Sequence, residues 1–353
     1  MLKKFVSLAL CCILMLISFC SCNTEQGEQN NLQKFSATYI EYFDTASTIV
    51  GYEETEEEFD AICEFIEKEL KTYNNLYDIY KSYEGVNNIR TINLNAGKEP
   101  VKVDKRIIDL LDYCKEIYAI TDGTVNVAMG SVLSIWHDYR TWGINSPSTA
   151  ELPPIERLKA AAKHTDIEKI VIDRENGTIF LSDGEMLLDV GAVAKGYATE
   201  CIAKALKEKG VDKYALNIGG NIRTIGTKGD GTPWSAAVTN PDKTSEKPYL
   251  MSVSLNDQVF VTSGSYERFY TVKGVNYHHI INPETLMPEN TFSSISILAK
   301  DSGLADSLST AVFNMTYEEG EKLIESLDGV EAMWVTSENE ILYSDGFKDI
   351  IIE

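Results

Sequence analysis

The sequence predicts an α+β fold, a single large domain with a mostly antiparallel sheet and grouped helices. Short strand patterns separated by tight turns occur in blocks with helical patterns, which favours hairpin-linked strands over a doubly wound sheet. The 353 residues show no second linker, repeat or low-complexity tract after residue 35. Hydrophobic residues make up 44% and charged residues 24% of the chain, as in an ordinary folded protein.

The charge balance excludes two classes of partner. The chain carries 32 Lys and Arg against 54 Asp and Glu, a formal net charge of −22. Nucleic acid is not expected as a partner because phosphate neutralisation requires basic residues, and electrostatic docking on anionic lipid is not expected for the same reason. An enzyme this acidic that handles phosphates needs local positive charge from a metal ion or from single lysines.

The N-terminus has the pattern of an exported lipoprotein. Two lysines precede an apolar run over residues 5–19, which is too short for a membrane span and typical of a signal peptide. Cys22 follows the small residue Ser21, as in a bacterial lipobox, and is the predicted lipidation site. Cys20 is the weaker candidate because it follows the bulky Phe19. The alternative is an uncleaved N-terminal membrane anchor.

This reading divides the chain into three parts. Residues 1–21 are the predicted lipoprotein signal peptide, 22–34 a polar tether, and 35–353 one folded domain. The predicted location is the cell membrane, lipid-anchored on the extracytoplasmic face. Loss of two lysines with the signal peptide leaves 30 basic against 54 acidic residues, a net charge of −24.

The predicted helices follow apolar residues at helical spacing. Thr55 and Glu58 form a capping-box pattern before the first helix, whose apolar positions run to Tyr73. A second helix opens at Asp104 and ends in the turn at Gly123. The remaining helical patterns cover residues 154–163, 192–209, 304–314 and 317–327.

The predicted strands are short runs of alternating or β-branched residues between turn signals. They cover residues 169–173, 178–182, 186–189, 214–217, 235–239, 250–255, 258–261, 269–272, 293–298, 332–336 and 341–343.

The segment around Lys195 is the first that could carry chemistry. A predicted strand passes through a glycine turn into a helix with Lys195 in its first turn. The free N–H groups and positive dipole of a helix N-terminus attract phosphate, whereas a lysine there disfavours the helix unless an anion is bound. The alternative is an ordinary strand–helix connection with a surface lysine. The segment is not a Walker A loop, and GxGxxG does not occur.

A second segment offers oxygen ligands. Asp306 and Thr310 stand four residues apart on a predicted helix and therefore share one face. A carboxylate and a hydroxyl make a partial Mg²⁺ site that carbonyl groups and water can complete. The alternative is the polar start of an amphipathic helix.

A third segment contains two of the chain's four histidines, His278 and His279. On a strand these neighbours face opposite sides, so at most one points into a given cleft. Zinc-binding spacings are absent, which leaves a general base or a structural histidine as the two interpretations.

A glycine pair and several aromatic residues could also contribute to a binding site. Gly219 and Gly220 follow a predicted strand and permit either close backbone approach to a ligand or a plain turn. Phe43, Tyr80 and Trp136 could stack on a flat ring, although each also suits a hydrophobic core.

Taken in order, these stretches resemble the ApbE family of FAD:protein FMN transferases. The resemblance covers about nine-tenths of the chain, from residue 38 to the C-terminus. The stretches that carry it are Phe43–Thr45, Leu76–Tyr80, Thr121–Trp136, LLDVGAVAKGYATE (187–200), ALNIGGNIRTIG (215–226), VTSGSYERFY (261–270), YHHIINPETLMP (277–288) and ADSLSTAVF (305–313).

The resemblance implies an ApbE-like fold and an FMN transferase catalytic domain over residues 35–353. It implies Mg²⁺-dependent transfer of the FMN half of the substrate FAD to a Thr or Ser hydroxyl of an exported acceptor protein, with release of AMP. The implied roles fall on matching positions: His279 as general base, with His278 less favoured; Asp189 and Lys195 as FAD contacts; Phe43, Tyr80, Trp136 and the backbone near Ile280 around the flavin and adenine; and Asp306, Thr310, the Ala192 carbonyl and Ser309 as metal ligands.

Two departures from the family pattern affect the cofactor contacts. Phe43-Asp44-Thr45 stands where many members have Met-Gly-Thr, and Leu286-Met287 replaces a glycine-containing turn. Two other functions use the same residues: an FAD pyrophosphatase, in which water replaces the acceptor hydroxyl, and a flavin-binding lipoprotein without turnover. Because mere binding needs no base, the presence of His279 beside the other site residues favours an enzyme.

Overall fold

The computed structural model describes residues 31–352. The predicted signal peptide and the lipidation site Cys22 lie outside this range, as does most of the tether. Within residues 31–352, none of the helices combines the length and the apolar character that crossing a membrane requires. From Leu32 onward the chain forms one compact unit.

Strands and helices alternate in blocks along the chain. The strands are β1 (Gln33–Tyr39), β2 (Ser47–Glu53), β3 (Val101–Lys102), β4 (Ile170–Asp173), β5 (Thr178–Leu181), β6 (Lys213–Ile218), β7 (Asn221–Gly226), β8 (Trp234–Thr239), β9 (Tyr249–Leu255), β10 (Val259–Gly264), β11 (Phe269–Val272), β12 (Val275–His278), β13 (Phe292–Ala299), β14 (Glu331–Thr336) and β15 (Ile341–Tyr343). The helices are α1 (Glu56–Tyr77), α2 (Ile89–Leu94), α3 (Lys105–Ile120), α4 (Gly130–Asn145), α5 (Ile155–Ala161), α6 (Ala194–Glu208), α7 (Ser302–Phe313) and α8 (Tyr317–Glu325).

The main sheet has the strand order β1-β2-β6-β7-β10-β13-β14-β15. Every neighbouring pair in it is antiparallel. The other strands of residues 31–352 form three small antiparallel sheets: β11-β12, β3-β5-β4 and β8-β9. The α+β class with mostly antiparallel pairing is therefore confirmed.

The central hairpin of this sheet explains the paired glycines. Ile218 of β6 pairs with Asn221 of β7, so Gly219 and Gly220 form a two-residue loop. Their φ angles are +55° and +89°, as the type I′ turns that join twisted strands require. The sequence suggested only a turn or a ligand contact here and missed β7, which the turn positions.

The first helix follows its sequence signal closely. Glu58 N–H donates to Thr55 Oγ1 at 3.3 Å, and Thr55 N–H donates back to Glu58 Oε2 at 3.1 Å, so the predicted capping box is confirmed. The buried face of α1 packs into the largest hydrophobic cluster together with residues of α3 and α6.

One predicted strand and one predicted segment boundary are wrong. Residues 186–189, predicted as a strand, make only a single bridge from Leu187 to Met129, because neighbouring groups take their backbone hydrogen bonds. Leu188 N–H donates to Asn93 Oδ1 at 2.7 Å, and Asp189 N–H donates to a loop carbonyl at 2.8 Å. Strand β1 begins at Gln33, inside the predicted tether, because the apolar side chains at every second position from Phe35 pack on the core.

Helices α6 and α7 approach each other closely at Gly196. A methyl group built on Gly196 would overlap the Ser302 carbonyl and the Cβ of Asp306, so no larger residue fits without moving α7. This contact fixes the start of α6 against the N-terminal half of α7.

Replacing Gly196 with alanine should therefore destabilise the fold by about 1–3 kcal/mol, the usual cost of overpacking. Urea unfolding would measure the change. The matched control is Gly184→Ala, where the nearest atom to a built Cβ is 3.7 Å away and a change within about 0.5 kcal/mol is expected. Equal stability of the two variants would contradict the close packing of α6 on α7.

Candidate active site

Three of the segments singled out from sequence meet at the start of α6. The Lys195 ammonium donates to Asn221 Oδ1 at 2.6 Å and to Asp306 Oδ1 at 3.1 Å. The other Asp306 oxygen accepts from Gly196 N–H at 2.8 Å. The lysine of the first segment and the carboxylate of the second therefore form one cluster with the first residue of β7.

Asn221 is the residue of this cluster that sequence reasoning did not assign. It is fully buried, and its Nδ2 group has no hydrogen-bond partner among the described residues. A buried amide donor without a partner costs free energy, so a ligand oxygen at this position would stabilise it. Its only sequence signal was its place directly after the glycine pair.

The hydroxyl groups near Asp306 differ in their availability. Ser309 Oγ donates to the Asp306 carbonyl at 2.8 Å and lies 2.7 Å from Ser263 Oγ, so its oxygen already has two neighbours. Thr310 is half-buried and stands one helical turn after Asp306. Asp306 and Thr310 are therefore better placed to offer oxygen ligands than Ser309.

The donor atoms fit a hard cation of the Mg²⁺ type. Gly196 N–H donates to Asp306 instead of to the carbonyl four residues before it, which leaves the Ala192 carbonyl available. Among residues 31–352 no group of three or more His, Cys, Asp or Glu side chains could hold a metal ion. A single carboxylate with a hydroxyl and a carbonyl suits Mg²⁺, which usually binds through one or two carboxylates, water and substrate phosphates.

The two adjacent histidines have different environments. His278 is 3% exposed and engages both ring nitrogens: Nδ1 accepts from Ile280 N–H at 3.2 Å, and Nε2 lies 2.6 Å from the Glu289 carbonyl. It also packs edge-on against Phe313. His278 is thus a structural histidine, which leaves His279 as the candidate base.

His279 is held in its neutral form. Burial is the main cause that lowers its pKa to about 3, and the positive charges of Arg268 and Arg140 contribute next. Its Nδ1 atom is buried without a hydrogen-bond partner among the described residues. A neutral imidazole with an unpartnered nitrogen is the form that can accept a proton from a substrate.

A polar cluster beside His279 includes residues that the sequence did not reveal. On α4, Arg140 Nη2 lies 3.2 Å from His137 Nδ1, and Tyr80 OH lies 3.4 Å from the same nitrogen. The Tyr80 and His137 rings are 5.1 Å apart, and Tyr80 is 50% exposed. Tyr80 therefore presents an accessible aromatic surface, as a flavin or adenine contact would require.

Asp189 lies in the same region. Its Oδ1 accepts from Gly191 N–H at 2.9 Å. Burial raises the pKa of Asp189, while the Gly191 N–H and the positive charges of His137 and Arg140 partly oppose that rise. The Asp189 carboxyl group offers hydrogen-bonding oxygens beside the exposed ring of Tyr80, which suits recognition of the polar edge of a heteroaromatic ring.

The Phe43 turn packs against the glycine hairpin. Phe43 and Asp44 have φ angles of +55° and +51°, and Phe43 N–H donates to Asn74 Oδ1 at 2.9 Å. A Cβ on Gly219 would lie 2.6 Å from Thr45 Oγ1, so only glycine permits this approach. The left-handed backbone at Asp44 is a conformation that glycine adopts without strain, so the glycine of the expected family pattern would suit this position.

Two predicted cofactor contacts are more enclosed than expected. Trp136 is 3% exposed, and its indole N–H donates to the Leu286 carbonyl at 3.0 Å. Ile280 is 5% exposed, and its N–H is engaged with His278. In this conformation both residues contribute to the packed wall of the site and offer little surface for stacking.

A buried ion pair between Arg223 and Glu200 joins the three elements that carry Lys195, Asn221 and Asp306. Arg223, two residues after Asn221 on β7, donates from Nε to Glu200 Oε2 at 3.0 Å. Glu200 also accepts from Ser302 N–H at 2.9 Å. Each residue of the pair has at most 5% of its side chain exposed, so Glu200 ties β7, α6 and the start of α7 together.

A sequence profile of the ApbE family matches residues 43–334. The chain belongs to the ApbE family. The FAD:protein FMN transferase of Treponema pallidum (strain Nichols) is 33% identical over 275 residues, 74% of each chain. The protein of the same name from Vibrio cholerae serotype O1 is 25% identical over 338 residues, 95% of this chain and 93% of that one.

Solved structures agree with this membership. The crystal structure of the ApbE protein of Thermotoga maritima covers 91% of this chain and 100% of its own, with a TM-score of 0.78 and 27% identity. The flavin transferase ApbE of Vibrio cholerae covers 90% of this chain and 99% of its own, with a TM-score of 0.75 and 22% identity. The ApbE-like fold expected from the sequence is therefore confirmed.

Proposed function

We propose that this protein is an FAD:protein FMN transferase that joins FMN to a Thr or Ser hydroxyl of an acceptor protein and releases AMP. Membership of the ApbE family supports the transferase activity, since the curated relatives carry that name. The observation that carries the proposal is the meeting of Lys195, Asn221 and Asp306 at the start of α6.

This cluster supplies what an acidic chain lacks for binding a pyrophosphate. Lys195 offers a cation at a helix N-terminus, where free N–H groups also favour phosphate. Asp306, Thr310 and the Ala192 carbonyl would hold Mg²⁺, which when bound offsets negative charge on the pyrophosphate. The buried Nδ2 group of Asn221 would donate to a phosphate oxygen.

The reaction needs one proton acceptor. The acceptor hydroxyl oxygen attacks the phosphorus of the FMN half, and the bond from that phosphorus to the bridging oxygen breaks. The bridging oxygen leaves with AMP, and the hydroxyl proton passes to a neutral imidazole. His279 is assigned this role because its Nδ1 atom is unpartnered, whereas both nitrogens of His278 are engaged.

One incubation tests the proposal. Purified protein, FAD, Mg²⁺ and an exported protein of the same organism should yield a fluorescent flavin band on a denaturing gel and AMP in equal amount. EDTA should reduce both products by at least about tenfold, because the acidic chain supplies little other charge for the pyrophosphate. Excess Mg²⁺ should restore them, and turnover that is indifferent to EDTA would contradict the metal assignment.

The same experiment separates the alternatives. Free FMN and AMP without labelled protein would identify an FAD pyrophosphatase, and unchanged FAD would identify a flavin-binding protein without turnover. His279 Nδ1 has no hydrogen-bond partner among the described residues and lies near the positive charges of Arg268 and Arg140. This arrangement favours the two enzymatic functions over simple binding.

The proposed location follows from the N-terminal sequence. The lipobox-like Ser21-Cys22 pair predicts a lipid-anchored protein on the extracytoplasmic face of the cell membrane. The acceptor would then be an exported protein and the membrane contact would come through the lipid. Palmitate incorporation that disappears in a Cys22→Ala variant, with Cys20→Ala as the matched control, tests this.

A further inference from the structure

Arg140 and Arg268 lie near the proposed base, and in residues 31–352 neither forms an ion pair with a carboxylate. Carboxylates bind three other arginines in residues 31–352: Arg106, Arg174 and Arg223. In the same part of the chain no carboxylate lies within 4.0 Å of Arg140 or Arg268. Among these described residues Arg90 and Arg157 also have no carboxylate within 4.0 Å, but Arg140 and Arg268 differ in that each lies in the field of the other. Like charges near each other repel unless an anion joins them.

The hairpin register brings Arg268 to His279. Phe269 of β11 and His278 of β12 form the last pair of the ladder, and Arg268 and His279 are the next residue of each strand at the open end of the hairpin. Residues directly opposite in an antiparallel pair lie close enough for their side chains to interact.

Helix geometry brings Arg140 to the same place. Trp136 and Gly143 both pack against Tyr270 of β11. The ring centroids of Trp136 and Tyr270 are 6.5 Å apart, and Gly143 lies so close to the Tyr270 ring that a Cβ atom would overlap it. Arg140 stands four residues after Trp136 and three before Gly143, so it shares the face of α4 that packs on this hairpin. Both guanidinium groups lower the pKa of His279, which places their charges near its ring.

We propose that Arg140 and Arg268 form an anion clamp that binds the phosphate of the FMN half, the group attacked by the acceptor hydroxyl that His279 deprotonates. This inference rests on the proposed function, because the base must lie beside the phosphorus that is attacked. Guanidinium groups suit this role, since their planar donors match phosphate oxygens and stabilise the charge of a transferring phosphoryl group. Lys195, and the Mg²⁺ that Asp306 would hold, would then bind the other phosphate of the pyrophosphate.

A matched pair of ligands tests the clamp without turnover. FMN and riboflavin share the ring system and differ by one phosphate. Arg140→Gln should weaken FMN binding about tenfold in calorimetry and leave riboflavin binding unchanged, and Arg140→Lys should recover part of the loss. Arg157→Gln removes the same charge on α5 and should change neither affinity. Arg268→Gln should behave as Arg140→Gln does.

Other outcomes would overturn the clamp. Equal loss of FMN and riboflavin affinity would mean that Arg140 only supports the fold of the site. Unchanged FMN affinity with a raised KM for the acceptor protein would mean that the arginines bind an acidic acceptor segment. The gel assay on the wild type tests the proposed function separately. If the wild type transfers FMN but Arg140→Gln binds FMN as tightly as the wild type, the clamp is disproved and the proposed function stands. If wild type fails to transfer but Arg140→Gln loses FMN affinity, the clamp stands and the transferase proposal falls.

Discussion

Replacing Asp306 with asparagine should lower the rate of flavin transfer by about 10²–10⁴-fold, the range typical for loss of a group that stabilises charge in an active site. The substitution keeps the size of the side chain but removes the negative charge that faces Lys195 at 3.1 Å. The Mg²⁺ concentration that gives half-maximal transfer should rise in the same variant. Both quantities can be measured by in-gel flavin fluorescence.

The stability of this variant should change less than its activity. Asparagine can still accept from Gly196 N–H, but its amide group then faces the Lys195 ammonium, so a loss of about 1–3 kcal/mol is expected. The matched control is Asp109→Asn, which removes an exposed carboxylate paired with Lys105 and should leave transfer unchanged. Wild-type transfer by Asp306→Asn would refute the role of this carboxylate.

Replacing His279 with glutamine should lower transfer by about 10²–10⁴-fold, because the buried Nδ1 atom of His279, which has no hydrogen-bond partner among the described residues, is the proposed proton acceptor. His164→Gln is the matched control. That histidine is bound to Asp183 at 3.0 Å on a different part of the surface, and its loss should leave the rate unchanged. A fully active His279→Gln variant would show that another group takes the proton.

The pH dependence gives a second measure of His279. Because its pKa is lowered to about 3, the neutral imidazole predominates in the free enzyme at all pH values above that. The acid limb of kcat/KM should therefore lie well below pH 6.5, the ordinary range of histidine. An acid limb near 6.5 that disappears in His279→Gln would contradict the buried, cation-flanked environment.

The same pKa has a consequence for stability with a definite sign. The unfolded chain protonates His279 near pH 6.5, whereas the folded protein does so only near pH 3. Between these values the unfolded state binds more protons, so the free energy of unfolding falls as the pH falls. His279→Gln lacks this contribution, and its loss of stability between pH 7 and pH 5 should be smaller than that of the wild type.

Sequence patterns predicted the parts of the molecule that depend on local chemistry. The capping box of α1 and the antiparallel class follow from residue spacing, and the structure confirms both. Lys195 was singled out because a lysine in the first turn of a helix is unfavourable. Asp306 was singled out because it shares one helix face with Thr310. That they meet could not be read from spacing, because 111 positions separate them.

The features that the sequence did not reveal depend on tertiary pairing or on weak local signals. Helix α4, which carries Arg140, begins after Met129 without a side-chain cap, so its start has no sequence mark. The proximity of Arg268 and His279 depends on the register of the β11–β12 hairpin that carries them. The different roles of His278 and His279 depend on the Glu289 carbonyl, whose position only the fold determines.

The wide sequence separation of the cluster at α6 has a kinetic consequence. Lys195 reaches Asn221 across 26 positions and Asp306 across 111, and β2 pairs with β6 across more than 150. Such non-local contacts form late and slowly during folding, because long loops must close before any contact is made. A nascent or partly unfolded chain therefore lacks the proposed pyrophosphate site, and the appearance of FAD binding during refolding should report the last step of folding.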